Sequence, residues 1–496
     1  MSSPLTPQPS FYWHDYETFG TDPRRDRPAQ FAGWRTTLEL EPIGDPLSIY
    51  CQPATDVLPQ PISCLITGIT PQRAEREGLR EAEFAARVHE ELAQPGTCGV
   101  GFNSIRFDDE FTRNLLYRNF YDPYEREWKD GNSRWDIIDL VRMCYALRPH
   151  GIAWPRRPRD DGSGDVPSFR LEDLAAANNL AHGRAHDALS DVEATIALAR
   201  LVKCAQPRLW DFYFGLRQKQ RVLDLLDWTR RTPVLHVSSR YPAERGCLAM
   251  VVPLAVHPDQ QNKVIVYDLD VDPAPFIALE ADEIADRVFT ARADLPEGVE
   301  RIPLKAVSIN RSPALAPLAV LKDTDLARIG LDTARCERHL ERLRGAADIA
   351  EKVRRVFASP RARERADAEL SLYGGFACDA DKRLFAAVRG TPPEELGRRE
   401  FAFQDARCAD LLFRYRARNW PETLSDAERE RWMAFREERL TTHTPLTALT
   451  LAEYFAAIAA ARAAPDLMPA QYAILDQLEA WGQSIAGEFA AETVTS

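Results

Sequence analysis

The segment FYWHDYETFG, residues 11–20, sets two acids one residue apart inside a run of aromatic side chains. Aromatic residues favour a pleated strand. On a strand alternate residues share a face, so Asp15 and Glu17 point the same way, roughly 7 Å apart along the chain. Two carboxylates on one face repel each other unless a cation lies between them, and burying either one alone is expensive. By itself a D-x-E pair reads as a strand end whose acids face solvent, because charges are most often merely solvated. Two further segments change that reading.

In VGFNSIRFDDEFTRNLLYRNF a strand ends in a loop that opens a helix. Asp108 falls near the helix start, on the stripe continued by Phe111 and Leu115, and so faces inward. Glu110 runs with Arg113 and Asn114 and reads as solvated, and helix N-capping is the simplest role for Asp109. In NLAHGRAHDALSDVEATIALARLVK, Asp191 shares a helical stripe with Ala194, Thr195, Leu198 and Val202, which points its carboxylate into the structure. Glu193 lies on the opposite side with Ala197 and Arg200, where a solvated role suffices. Asp187 is placed as an N-cap. His182, in a polar loop, reads as structural or surface, whereas His186 stands just before the helix at a fixed offset from Asp191.

At 496 residues the chain is too long for one ordinary core, and two or three domains are expected. Three textures divide it. Residues 1–205 mix short apolar runs with amphipathic helical patterns, an α/β reading in which CGVGFN and SIYCQP are strands while REAEFAARVHEELA and VEATIALARLVK are helices. The stretch WPRRPRDDGSGDVPS within it reads as an exposed loop. Residues 206–360 turn to β texture, with TPVLHVSS, LAMVVPLAVH, NKVIVYDLD and RIPLKAVSIN spaced by turn residues, as in a small barrel or sandwich. Residues 361–496 are dominated by charged amphipathic helices such as DAERERWMAFREERL and LAEYFAAIAAARAA. The nine cysteines form no CxxC pair, so neither a zinc knuckle nor a disulfide framework is indicated, and a reduced cytoplasmic setting is expected. No apolar run approaches the roughly 20 residues that span a bilayer, and MSSPLTPQPS has no signal-peptide pattern, so no membrane association is expected. The net charge of -12 argues against wholesale polyanion binding, so any nucleic-acid contact has to be a local basic strip.

The D-x-E strand, Asp108 at a strand-to-helix junction and H-x-x-x-x-D before a helix together resemble the His subtype of the DEDD exonuclease superfamily. Longer runs resemble the bacterial exonuclease I family: GFNSIRFDDEFTRNLLYRNFYDPYEREW, NSRWDIIDLVRMCYALRP, SFRLEDLAAANNL, AHDALSDVEATIALARLVK and LLFRYRARNWPETL. The resemblance covers nearly the whole chain. It implies an RNase H-like exonuclease domain, then an SH3-like barrel, then an α-helical C-terminal domain, in step with the three textures. The RRPRDDGSGD loop is longer than the family pattern, at the rim of the site and away from its acids.

This resemblance makes chemical sense of the acids. Phosphodiester hydrolysis needs charge stabilised on the attacking and leaving oxygens, which two ions about 3.5–4 Å apart accomplish. Asp15, Glu17, Asp108 and Asp191 supply hard oxygen ligands suited to two Mg²⁺ ions, or to Mn²⁺ in their place. His186, with a reference pKa near 6.5, is placed to take a proton from the attacking water. By the same resemblance Arg113, Tyr124, Trp128 and Arg142 match positions contacting single-stranded DNA, Arg170 (with Glu17) matches a substrate-binding position beside the site, and Arg148 matches one residue of a pocket for the acidic C-terminal tail of single-stranded DNA-binding protein. The implied activity is a monomeric 3′→5′ exonuclease that degrades single-stranded DNA to 5′-mononucleotides in repair and recombination. Two alternatives stand beside it. The acid motif does not choose the sugar, which leaves a DEDD exoribonuclease, and the same fold admits an inactive end-binding protein.

Overall fold

The computed structural model describes residues 8–159, 162–180, 187–358, 366–465 and 467–493, the side chains of 491–493 excepted. His182 and His186 lie outside the described residues. Packing does not follow chain order. One compact unit joins residues 8–133, the short stretch 187–193 and the chain from 366 onward, and a second holds 134–180 and 194–358.

In the first unit four strands form a mixed sheet in the order β3-β2-β1-β4: β1 (Ser10–Thr18), β2 (Pro28–Thr36), β3 (Pro42–Tyr50) and β4 (Thr97–Gly101). β1 runs antiparallel to β2 and parallel to β4. The aromatic richness of β1 explains its central place, since eight of its nine residues are buried. One face carries Tyr12 and Tyr16, which pack with Phe31, Leu115 and the Phe84–Val88–Leu92 stripe of the helix Glu81–Leu92. The opposite face carries Asp15 and Glu17.

The C-terminal helices are part of this unit. Leu440, Tyr454, Ile458, Leu475 and Ile485 close over Phe19, Ala29, Leu58 and Ile69. Leu411 and Tyr415, on the helix Arg407–Asn419, close over Phe120. The second unit contains a five-stranded antiparallel sheet in the order Leu304–Ser308, Lys263–Asp268, Leu248–Val256, Val234–Val237, Ala314–Pro317. The arginine-rich stretch expected to be a plain loop contains an exposed hairpin, Arg156–Pro158 paired with Asp165–Pro167, in which each strand places its proline at an end where the missing N–H is tolerated. Among the described residues no helix is long and apolar enough to cross a membrane.

Candidate active site

β1 presents Asp15 half-buried and Glu17 buried on one face. Their neighbours across the β1–β2 ladder are Ala32 and Gln30, and the register shifts between Glu17 and Thr18. The third acid arrives on the helix Ala188–Ala205. Ala194, Thr195, Leu198 and Val202 are all buried while Glu193 is exposed, so the sequence stripe places Asp191 on the inward side. Ligand oxygens of Asp15, Glu17 and Asp191 all lie within 4.8 Å of one another.

Asp108 opens the helix Asp108–Arg118 and is buried. Its Oδ1 accepts the Tyr16 backbone N–H at 3.1 Å, which hangs the carboxylate directly on β1. Thr112 Oγ1 donates to the Asp108 carbonyl at 2.9 Å and lies 3.1 Å from the Tyr16 hydroxyl, so helix and strand are fixed together at two points.

Crowding four carboxylates in a partly dry site has a definite electrostatic result. Burial, then the charges of Asp108, Glu17 and Asp191, raise Asp15 well above the usual carboxylate range. Burial, then Asp191 and Asp187, push Glu17 up to about 8. With no cation bound, Glu17 holds its proton at neutral pH, and a divalent cation is the natural replacement for such a proton. An all-oxygen, anionic donor set suits a hard cation such as Mg²⁺ or Mn²⁺. Among the described residues it is the one cluster of acids, histidines and cysteines close enough to hold a metal.

Other sequence-derived positions fare differently. Asp109 is not a helix cap: Phe107 occupies the N-cap position, and Asp109 is buried against Arg126 at 2.6 Å. Glu110 is not solvated, since it bonds Arg113 at 3.0 Å and the Tyr373 hydroxyl. Arg113 is only 4% exposed, with its guanidinium held bidentately by Glu127 at 2.7 Å and stacked over Tyr124. In this arrangement Arg113 positions Tyr124 and is not open to a phosphate. Trp128 is 63% exposed, and Tyr124 is half-buried beneath the exposed Phe376, with ring centroids 5.3 Å apart.

Arg142, Arg148 and Arg170 belong to the second unit. Arg142 is buried and bonds Asp139 at 2.6 Å, while Arg170 is exposed beside Glu172. Arg148 caps the helix Ile138–Leu147, and its guanidinium reaches Thr324 Oγ1 and the Val320 carbonyl. It lines a cavity of about 340 Å³ with Arg208, Gln206, Leu209, Phe212 and Asp323. Sequence reading found Arg148 alone, because the other walls come from segments separated in the chain.

Family models match almost the entire chain: an exonuclease model over residues 12–199, an exonuclease I SH3-like domain over 217–359 and an exonuclease I C-terminal domain over 366–485. The chain belongs to the exonuclease I family. The exodeoxyribonuclease I of Escherichia coli (strain K12) is 47% identical over 435 residues, 88% of this chain and 90% of that protein. The Haemophilus influenzae exodeoxyribonuclease I is 47% identical over 433 residues, 87% of this chain and 90% of that protein. Among solved structures, a moderately thermophilic exonuclease I from Methylocaldum szegediense superposes with a TM-score of 0.91 at 52% identity, covering 96% of this chain and 99% of that one. E. coli exonuclease I in complex with a dA16 oligonucleotide superposes at 0.90 with 45% identity, covering 96% and 100%. The zinc-bound form of an E. coli exonuclease I–single-stranded DNA complex also superposes at 0.90, with 44% identity, covering 97% and 100%. The exonuclease, SH3-like and helical parts expected from the sequence are therefore the parts this family contains.

Proposed function

We infer that the chain is a 3′→5′ exonuclease that hydrolyses single-stranded DNA to 5′-mononucleotides in DNA repair and recombination. The observation that carries this reading is the convergence of Asp15, Glu17 and Asp191 within 4.8 Å, with Asp108 hung on the same strand. Those four acids are the proposed holders of two Mg²⁺ ions, with Mn²⁺ able to substitute. When bound, such ions stabilise charge on the attacking and leaving oxygens of the phosphodiester. His186 is the proposed base, taking a proton from the attacking water. Glu17 and Arg170 are the proposed contacts to the terminal nucleotide. Relatives solved with oligonucleotides favour DNA over RNA as the substrate. The proposed division of the chain at 205 and 360 is supported by the ranges of the three family models. A monomer acting in the cytoplasm completes the reading.

The test uses end-labelled single-stranded DNA, duplex DNA and RNA. Single-stranded DNA should shorten from its 3′ end, stop in EDTA and resume with Mg²⁺ or Mn²⁺. Hydrolysis in rigorously metal-free buffer, or equal rates on RNA, would overturn the reading.

Trp128 and Tyr124 are the proposed stacking faces along the strand, with Arg142 as a phosphate contact. Stacking releases no counterions, so Trp128→Ala should weaken binding without changing its salt dependence. The measurement is a salt titration in Ca²⁺ on a catalytically dead background. A flattened slope for Trp128→Ala would show that the residue acts through charge.

The Arg148 cavity is the proposed seat for the acidic tail of single-stranded DNA-binding protein. It joins two arginines, Arg148 and Arg208, to the apolar Leu147, Leu209 and Phe212, which suits a carboxylate-terminated peptide with an apolar end. An acidic peptide with an apolar C-terminal residue should bind, and should lose about tenfold, roughly 1.4 kcal/mol, with Arg148→Ala. Unchanged binding in that variant would remove the pocket from this role.

A further inference from the structure

We propose that Gln30 is a positioning residue of the active site, clamping the first turn of the Asp191 helix to the strand pair that carries Asp15 and Glu17. The proposal rests on the exonuclease reading above.

Gln30 lies on β2, directly opposite Glu17 in the ladder, and is 2% exposed. Both ends of its carboxamide are engaged. The NH₂ group donates to Asp187 Oδ1 at 3.0 Å and to Ser48 Oγ on β3 at 3.2 Å. The carbonyl oxygen accepts the backbone N–H of Ala188 at 3.4 Å. Ala188 is the first residue of the helix, and one turn on, the Asp191 N–H bonds the Asp187 carbonyl at 3.1 Å. The chain of contacts is therefore short: Glu17, its cross-strand neighbour Gln30, the Asp187–Ala188 helix start, then Asp191.

The amide meets these two contacts from the two ends of a single head. It must donate to a carboxylate and accept from a backbone N–H at once. A carboxylate has no proton to give, and lysine or arginine has no lone pair to offer. The clamp also works against an electrostatic load. Asp187 adds to the repulsion felt by both Asp15 and Glu17 when they are ionised, and the Gln30 amide holds that same Asp187 beside the strand pair. Gln30 neutralises none of that charge. It fixes the distance at which the repulsion is borne, and with it the spacing of the three ligand oxygens.

Residues that orient metal ligands typically change metal affinity or activity 10–100-fold when removed. Gln30→Met, which keeps length and burial but loses every polar contact, is expected to lower kcat on single-stranded DNA by about that factor, with KM for DNA within about twofold of the parent. Mn²⁺ affinity, measured by calorimetry without DNA, should fall by a similar factor. In the metal-free protein the amides of Ala188 and Asp191 should exchange hydrogen faster than in the parent. Gln30→Glu, which keeps the acceptor but faces Asp187 with a second carboxylate, should be at least as impaired. A merely structural glutamine would lower the melting temperature and leave kcat, Mn²⁺ affinity and local exchange untouched at temperatures where the variant is folded, and that result would overturn the proposal. Asp191→Asn is measured in parallel. If it loses turnover and Mn²⁺ affinity while Gln30→Met keeps both, the clamp alone is wrong. If Asp191→Asn keeps both, the site reading fails and the clamp fails with it.

Discussion

Asp15→Asn is expected to abolish strand degradation and, in EDTA near pH 8, to raise the melting temperature of the same protein. The two effects have one cause. Burial and the neighbouring carboxylates raise Asp15 well above the usual range and push Glu17 from 4.5 to about 8. A carboxyl whose folded value lies above its unfolded value keeps its proton in the fold after the unfolded chain has released it. Its stabilising contribution is therefore intact below about pH 4.5 and is lost as pH rises toward 8. Each unit of such a shift corresponds to about 1.4 kcal/mol, so the metal-free site destabilises the fold on the order of a few kcal/mol at the alkaline end. Asparagine removes one of the repelling charges and its share of that penalty. It also removes a ligand, so Mg²⁺ should stabilise the parent more than the variant and reverse the order of melting. Thermal melts in EDTA and in Mg²⁺ at pH 5 and pH 8 check this. If the variant melts at the parent's temperature in EDTA at both pH values, the acids do not repel one another and the electrostatic account of the site is wrong.

The acids were legible in the sequence because each reading depends on a local period. A period of two put Asp15 and Glu17 on one face of β1, and a period near 3.6 put Asp191 with a stripe that is buried in the fold while Glu193 faces solvent. The same logic failed where a partner is remote. Asp109 looked like a cap because Arg126 lies 17 residues on, across a loop. Glu110 looked solvated because Tyr373, which donates to it, is 263 residues away. β2 carries no strict alternation, since it is buried on both faces as an inner strand, and Gln30 there has no helical or strand signature of its own. Arg113 matched a DNA-contacting position by its place in a run of residues, yet its side chain is occupied by Glu127 and Glu110. Sequence spacing reports which face a residue occupies. It does not report which distant side chain reaches that face first, and that decides the role of a buried charge.

The largest loss of stability from a single change is expected at Glu369, in the short turn Glu369–Gly374. Its carboxylate is buried and meets Arg27 at 3.0 Å, Arg414 at 3.1 Å and Arg418 at 2.5 Å. Asp56 takes Arg418 at 2.7 Å and Arg439 at 2.6 Å, while Glu81 takes Arg27 and Arg118. Burial alone would raise the Glu369 carboxyl, but Arg418, Arg27, Arg439 and Arg414 overcome it and hold the group well below the usual range. Arg27 and Glu369 are 342 residues apart, so this cluster joins the N-terminal strands to the C-terminal helices inside one unit. A buried ion pair adds little net stability over an apolar replacement of the same shape, because desolvation offsets the attraction. Removing one partner is different, since Arg27, Arg414 and Arg418 stay in place with only Glu81, Asp367 and Asp56 to balance them. Glu369→Ala leaves Arg27, Arg414 and Arg418 facing each other and is expected to cost about 3–5 kcal/mol, read as a lowered urea midpoint. Arg27→Met combined with Glu369→Ala should recover part of that loss, because it removes a buried cation that has lost its shorter carboxylate contact and keeps only Glu81. Acid should act as the mutation does. A carboxylate with a depressed folded value contributes stability above its unfolded value near 4.5, and that contribution is lost as pH falls through the folded value. The parent's midpoint should therefore drop below pH 4, and the difference between parent and Glu369→Ala should shrink over the same range. A difference that is independent of pH would mean that Glu369 acts by packing and not by charge.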